Sequence, residues 1–352
     1  MEVMTWDAVA SAIDKKKKAR TFSLLLGNGF SMAFDPGIFS YNALNDFVRK
    51  QDNEVVAKLL EVVGVTDFER VMQHLDVLLK LCEIFDTGDG MRSQIVLARE
   101  ALQRGLLEAV KDLHPEHVFK VPKEKCDACA AFLSPFLKTG GALFTTNYDL
   151  LLYWVLMRGA LDSIDGFGRD REDDGDGHTP RDEQEWSEEL FWGRNEGQNI
   201  FYLHGTLPLF DTGTEVVKET YKEHNYLLAR VKQRMNLGHY PIFVTAGDGN
   251  QKLEHIRQNP YLFDAYSHLE KLDGSLVTFG FNFGPQDEHI IRAINIAAKQ
   301  PKGSGRRLWS IYIGVYSDDD ADRIHGMKDR FKCKVHMFDS KTAPVWREVR
   351  DA

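Results

Sequence analysis

Seven short runs rich in apolar and β-branched residues recur along this 352-residue chain, at 21–26, 142–146, 199–204, 241–245, 275–281, 308–315 and 334–338. Several are apolar at both odd and even positions, the pattern of strands covered on both faces, and that pattern belongs to parallel sheets flanked by helices. Helical periodicity fills most of the intervals. The chain is therefore expected to be α/β, with a mostly parallel sheet of about six or seven strands.

Two stretches break the rhythm. From 42 to 138 the sequence carries amphipathic segments at 67–85 and 91–113 and no strand pattern, which predicts an all-helical insertion. Thr66-Asp67-Phe68-Glu69 has the form of an N-cap followed by a glutamate in the first turn, so a helix is expected to start there. From 162 to 198 the chain is polar and rich in Gly and Asp, with a helical patch at 186–192, and reads as an acidic surface loop. No linker divides the chain, so residues 1–352 are read as one domain.

The formal net charge of -9 is local. Residues 162–189 hold twelve acidic and three basic side chains, and the remainder is balanced, so no basic partner is demanded and an anionic ligand is not excluded elsewhere. The basic run Lys15-Lys16-Lys17-Lys18-Ala19-Arg20 lacks interleaved aromatics, and direct nucleic-acid binding is not expected. No apolar stretch approaches the roughly 20 residues that span a bilayer, and the first ten residues lack the basic and apolar regions of a secretory leader, which predicts a cytoplasmic protein. Cys126 and Cys129 form a single CxxC, with Cys82 and Cys333 isolated. One such pair is half a zinc site, and no metal is expected.

The chemistry-bearing residues fall at strand ends. The run 21–26 leads into Gly27-Asn28-Gly29-Phe30-Ser31, a turn that lets the backbone approach a phosphate at a helix N-terminus; a plain glycine turn is the other reading. A dinucleotide fingerprint would place a third glycine where Met32 stands. The run 142–146 ends in Asn147-Tyr148-Asp149, the run 199–203 in His204-Gly205, and the run 275–278 in Phe279-Gly280-Phe281-Asn282-Phe283, followed by Asp287 and His289. Singly, Asn147 or Asp149 reads as a helix cap, His204 as a structural histidine and Gly280 as relief of crowding. Together they belong to one crevice, because ligands of open parallel sheets bind outside the carboxyl ends of the strands.

Here the chain resembles the sirtuin-like domain family, and among its members the NAD-hydrolysing domains of bacterial anti-phage defence. Gly27-Asn28-Gly29-Phe30-Ser31 with Gly37-Ile38 is similar to the sirtuin Gly-Ala-Gly-x-Ser loop and its Gly-Ile-Pro. Thr145-Thr146-Asn147-Tyr148-Asp149 is similar to Thr-Gln-Asn-x-Asp, and His204-Gly205 to the catalytic His-Gly. Asn259-Pro260-Tyr261-Leu262 and Thr278-Phe279-Gly280-Phe281-Asn282 resemble the last motifs of the defence group. There are departures. No cysteine lies between Thr206 and Ile242, where protein-deacylating sirtuins hold a four-cysteine zinc module. Two extra residues separate Ser31 from Gly37, and Phe39 and Tyr41 stand in place of Pro and Arg.

What the resemblance implies is a Rossmann-like domain without a zinc module that hydrolyses NAD, its substrate, at the nicotinamide N-glycosidic bond. Asn147 and His204 would be catalytic, Asn147 placing ribose or water and His204 acting as base. Gly27, Asn28, Gly29, Phe30, Ser31, Asp149, Gly280 and Asn282 would bind NAD: the loop at 27–31 holding pyrophosphate, Phe30 shielding the nicotinamide pocket, Asp149 meeting the carboxamide. Asp287 is a weaker, structural candidate. Continuous NAD hydrolysis would kill a cell, which predicts restraint by homo-oligomerisation, a partner chain or an infection-derived trigger. A non-catalytic NAD or ADP-ribose sensor is the alternative. NAD-dependent deacylation ranks below both, and metal-assisted phosphoester chemistry on Asp173, Asp174 and Asp176 ranks last.

Overall fold

The computed structural model describes residues 3–16, 20–36, 58, 68–85, 88–113, 118–171, 180, 182, 184–221, 226–237, 239, 241–244, 248–300 and 307–347. Strand β1 (Val3–Met4) and helix α1 (Trp6–Lys16) come first, then β2 (Phe22–Leu26) and α2 (Asn28–Phe34). Three longer helices follow, α3 (Phe68–Phe85), α4 (Asp89–Leu113) and α5 (Lys123–Lys138), before β3 (Leu143–Thr145) and α6 (Leu151–Arg158). Next are β4 (Phe167–Gly168), β5 (Leu190–Trp192), β6 (Ile200–Tyr202), β7 (Gly205–Asp211), β8 (Val216–Lys218), α7 (Leu227–Asn236) and β9 (Pro241–Phe243). The chain closes with α8 (Gly249–Gln258), α9 (Pro260–Glu270), β10 (Gly274–Phe279), α10 (Glu288–Ala298), β11 (Leu308–Val315), α11 (Asp318–Met327) and β12 (Lys334–Asp339).

Seven strands form one wholly parallel sheet in the order β1-β12-β11-β10-β2-β3-β6, the expected Rossmann-like α/β architecture. β2 is central, and all five of its residues are buried. Each large apolar side chain withdrawn from water there contributes about 2 kcal/mol, which is why the strand needs no polar face. Helix α5 packs on β2 and β3, α9 on β6, α10 and α11 on β11, and α1 on β12. From β2 the chain runs outward through β3 to β6, then returns to β10 on the other side of β2. That reversal places the topological switch point between β2 and β10.

A second sheet, antiparallel and in the order β4-β5-β8-β7-β9, was not expected. The run at 241–245 belongs to it, as β9 beside β7, and not to the parallel sheet, where the two-residue β1 takes the seventh place. The patch at 186–192 is extended: Arg171 bridges Trp186, and β5 pairs with β4 and β8, because Leu190, Phe191 and Trp192 find cross-strand partners that outweigh a helical spacing. Acidic side chains of this stretch are ion-paired too, Asp165 with Lys218 and Asp170 with Arg194.

Among the described residues between 36 and 138 there is no strand, and helix α3 begins at Phe68; Thr66 and Asp67 lie outside the described residues. Helix α3 leaves Val77, Leu78, Leu81, Ile84 and Phe85 exposed along one side. Among the described residues no helix is long and apolar enough to cross a membrane.

Candidate functional site

Register aligns the site. Phe279, Leu26, Thr145 and Tyr202 lie side by side across β10, β2, β3 and β6, so the residues that follow them, Gly280, Gly27, Thr146 and Leu203, form the carboxyl edge of the sheet. One position further come Phe281, Asn28, Asn147 and His204. Asn147 and His204 thus each lie two residues past the paired Thr145 and Tyr202 of neighbouring strands, 57 residues apart in sequence.

The glycines at this edge serve backbone contact. A Cβ on Gly27 would lie 2.5 Å from the Gly280 carbonyl oxygen, and one on Gly29 would lie 2.5 Å from the Gly280 Cα. The Gly27 amide donates to the Phe279 carbonyl at 3.0 Å, the Gly29 amide to Gly280 at 2.9 Å, and the Phe30 amide to Gly27 at 2.9 Å. These three amides are thus spent within the protein, which corrects the expected amide cradle for pyrophosphate. Gly280 closes the switch point against the loop. Phe30 is also placed differently from expectation: its ring is buried and packs on Trp346 at 4.8 Å, while Trp346 Nε1 donates to its carbonyl at 2.9 Å. It is a core residue rather than the shield of an open pocket.

The end of β3 is tied to that loop through side chains. Asn147 Nδ2 donates to the Gly27 carbonyl at 3.1 Å and to Ser31 Oγ at 3.0 Å. The Ser31 hydroxyl donates to Asp149 Oδ2, and Asp149 Oδ1 accepts the Leu151 amide at 2.9 Å. Asp149 thus also serves the first turn of α6, as a capping residue would. Asn147, Ser31 and Asp149 are all buried. Burial pushes the Asp149 carboxyl up to about 6, against the opposing pull of the Ser31 hydroxyl and the Leu151 amide.

His204 occupies the turn between the two sheets. After it the backbone must enter β7 at Gly205 with φ of +78°, where a Cβ would fall 1.9 Å from the Ile242 carbonyl oxygen, so glycine is required directly after His204. The turn docks on the β3 end: Thr206 Oγ1 donates to the Tyr148 carbonyl at 2.9 Å, and the Leu207 amide donates to it at 3.1 Å. Tyr148 in turn donates its hydroxyl to the Val244 carbonyl, whose amide donates to the His204 carbonyl.

The imidazole of His204 meets a residue from the far side of the sheet. Its Nε2 lies 2.8 Å from Nε2 of His289, in the first turn of α10, with the rings meeting edge to edge, 25° from parallel and their centroids 5.1 Å apart. Tyr266 of α9 donates its hydroxyl to the His289 carbonyl at 2.8 Å. Lys252 of α8, fully buried, pairs with Asp287 at 3.3 Å. Burial, reinforced by His289 and Lys252, holds His204 well below the usual histidine range; burial and Lys252 lower His289 to about 3. Both rings are neutral at physiological pH. The donor atoms of His204, Asp287 and His289 lie within 4.8 Å of one another, close enough to share a metal ion, yet the Lys252 ammonium already engages the carboxylate.

Asn28 is half-buried at the first position of α2, whereas Asn282 is exposed and its carbonyl accepts from Arg323, away from the buried network. Gly37, Ile38, Phe39, Tyr41, Asp173, Asp174 and Asp176 lie outside the described residues. Nothing local in sequence couples His289 or Lys252 to His204; Lys252 sits in a polar stretch, 249–258, that reads as solvated.

A family defined by a domain of unknown function, DUF4917, matches residues 24–346. The chain belongs to the DUF4917 family. No curated protein matches it. The DUF4917 region begins within β2 and ends at Trp346, the residue packed on Phe30, so it takes in every strand-end residue described above.

Proposed function

We propose that this DUF4917 protein hydrolyses NAD, releasing nicotinamide. The observation that carries the reading is the register of adjacent strands, in which Asn147 and His204 each follow the paired Thr145 and Tyr202 by two residues, with Asn147 locked by Gly27 and Ser31. Breaking a nicotinamide N-glycosidic bond develops positive charge on the ribose and requires a positioned water and a base.

Both Nδ2 hydrogens of Asn147 are spent on the protein, which leaves Oδ1 to accept from the attacking water or a ribose hydroxyl. His204, neutral in its buried setting, is the base. Asp149 meets the carboxamide of nicotinamide, and the loop at 27–31 is a wall for the ribose rather than a cradle of amides. The exposed apolar row on α3 supports the further part of the reading, that a regulated NAD-depleting effector in anti-phage defence is restrained by contact with another chain, because contiguous exposed apolar surface marks such contacts.

One observation favours the alternative of a non-catalytic NAD or ADP-ribose sensor: burial holds His204 well below the usual histidine range, which makes it a weak base. Incubating the purified protein with NAD separates the two. Nicotinamide release that is lost in Asn147→Ala and His204→Ala supports hydrolysis; saturable NAD binding with no nicotinamide formed supports sensing.

A further inference from the structure

We infer that the amino edge of the parallel sheet, opposite the candidate site, is a docking surface for single-stranded nucleic acid, with Trp309 as its stacking platform. Where β10 pairs with β11 the register steps from Gly274 opposite Leu308 to Ser275 opposite Ser310, so Trp309 is the extra residue of a β-bulge. A bulge re-aims a side chain: Leu308 and Ser310 are buried, whereas Trp309 is 49% exposed. A lone exposed tryptophan is ordinary, and what distinguishes this one is its company. Arg20 and Arg307 lie over its ring, 5.4 and 5.3 Å from the centroid. Among the described residues neither guanidinium joins an ion pair, and Arg307 Nε is buried without a hydrogen-bond partner. Two like charges gathered on one ring repel each other, and a bound phosphate relieves that repulsion.

The surroundings add positive charge. The Arg20 amide donates to the Lys16 carbonyl at 2.9 Å, which brings the exposed end of α1 to this edge. Lys334 opens β12 alongside Ser310, and Lys299 caps α10, which packs on β11. Lysines at helix ends complement the helix dipole, which accounts for Lys16 and Lys299 but not for two arginines against an exposed indole. Asp273, the carboxylate just ahead of β10, already accepts the Thr21 hydroxyl at 2.6 Å, and the acidic excess of the chain lies at 162–189.

The occupant follows from this chemistry. Every base has a π-face, so an indole, or a guanidinium laid on one, stacks a base of any identity while the flanking cations meet phosphates. A duplex keeps its base faces covered. An anionic bilayer rewards apolar neighbours beside an indole, where Trp309 has arginines. The basic run that begins at Lys15 has no aromatic of its own, the ground on which nucleic acid is not expected from sequence; the fold supplies one from β11. The surface stands apart from the NAD reading and does not depend on it.

Fluorescence anisotropy of a labelled thymidine strand of about 20 nucleotides, titrated with the purified protein between about 50 and 200 mM salt, tests the inference. The expected result is saturable binding whose log affinity falls linearly with log salt, with a duplex of the same length competing poorly. Trp309→Ala should weaken binding about 10-fold or more, while Trp309→Phe, which keeps a ring, stays within a few-fold of wild type. Arg20→Ala and Arg307→Ala should each make the salt slope shallower by about 0.7. No saturable binding at the lowest salt, or Trp309→Ala binding like wild type with an unchanged melt, would overturn the inference. So would phosphatidylglycerol vesicles that capture the protein as well as the strand does and lose it in the same variants, which assigns the surface to a membrane. Should Trp309→Ala fail to fold, the salt slopes of the two arginine variants still decide the matter.

Discussion

The Asn147 side-chain amide donates to the main-chain carbonyl of Gly27 at 3.1 Å, fastening the end of β3 to the end of β2. Its second hydrogen goes to Ser31, so the orientation of the amide is set from two sides before any ligand enters. Asn147→Ala is expected to reduce nicotinamide release by roughly 100-fold or more, the scale of losing one oriented polar group at a reacting centre. It should also cost about 1 to 3 kcal/mol of stability, because the buried Gly27 carbonyl loses its partner. Steady-state kinetics and thermal melts check the two parts separately.

The backbone contact between Gly29 and Gly280 predicts an asymmetric response to alanine. At Gly29 a Cβ would overlap the Gly280 Cα, and neither backbone can retreat without breaking the Gly29 amide bond to Gly280, so Gly29→Ala should destabilise by about 2 to 4 kcal/mol. Gly326, in α11 with open space around it, is the control: Gly326→Ala should stabilise by about 0.5 to 1 kcal/mol. Denaturant melts of the two variants give the comparison.

Acid should weaken the fold through the histidine pair. Both rings titrate lower folded than unfolded, so below about pH 6.5 the unfolded chain binds protons that the folded one refuses, and stability is lost as pH falls toward 3, by about 1.4 kcal/mol per pH unit for each ring. Asp149 acts with the opposite sign between its usual range and about 6, because folded protein holds its proton more tightly. Two rings outweigh one carboxyl. The melting temperature should therefore drop from pH 7 to pH 5, and the drop should be shallower in His289→Gln.

Asp149→Asn separates stability from function. Above pH 6 the wild-type carboxylate is ionised against the preference of its buried site, and the amide removes that cost, so the variant should be more stable at pH 8 by about 1 to 3 kcal/mol with little gain at pH 4.5. Nicotinamide release should fall in the same variant, the signature of a group kept for function. Melts at the two pH values, with one activity assay, test it.

Much of this arrangement is legible in sequence because the parallel strands are buried on both faces and announce themselves as apolar runs. The strand ends could be aligned as one crevice for the same reason, since position after a strand is position at an edge. The second sheet was not legible. Its strands β4, β5 and β8 are two or three residues long, β7 carries Pro208 in its middle, and β9 alone is announced by an apolar run, which does not say which sheet it joins. Pairing partners, not local pattern, make them strands. The His204 and His289 contact was hidden likewise, because it joins β6 to α10 across 85 residues and no spacing rule links them. Gly27 and Gly29 suggest ligand approach in sequence, whereas the group that approaches them is the backbone at Gly280.

The central claim is that Asn147 and His204 form a site that cuts NAD. The direct measurement is product identification after purified protein is incubated with NAD, beside Asn147→Ala and His204→Ala confirmed as folded by their melts. The account predicts nicotinamide and ADP-ribose from wild type and neither from the two variants; intact NAD with folded wild-type protein, or equal turnover in all three, would contradict it.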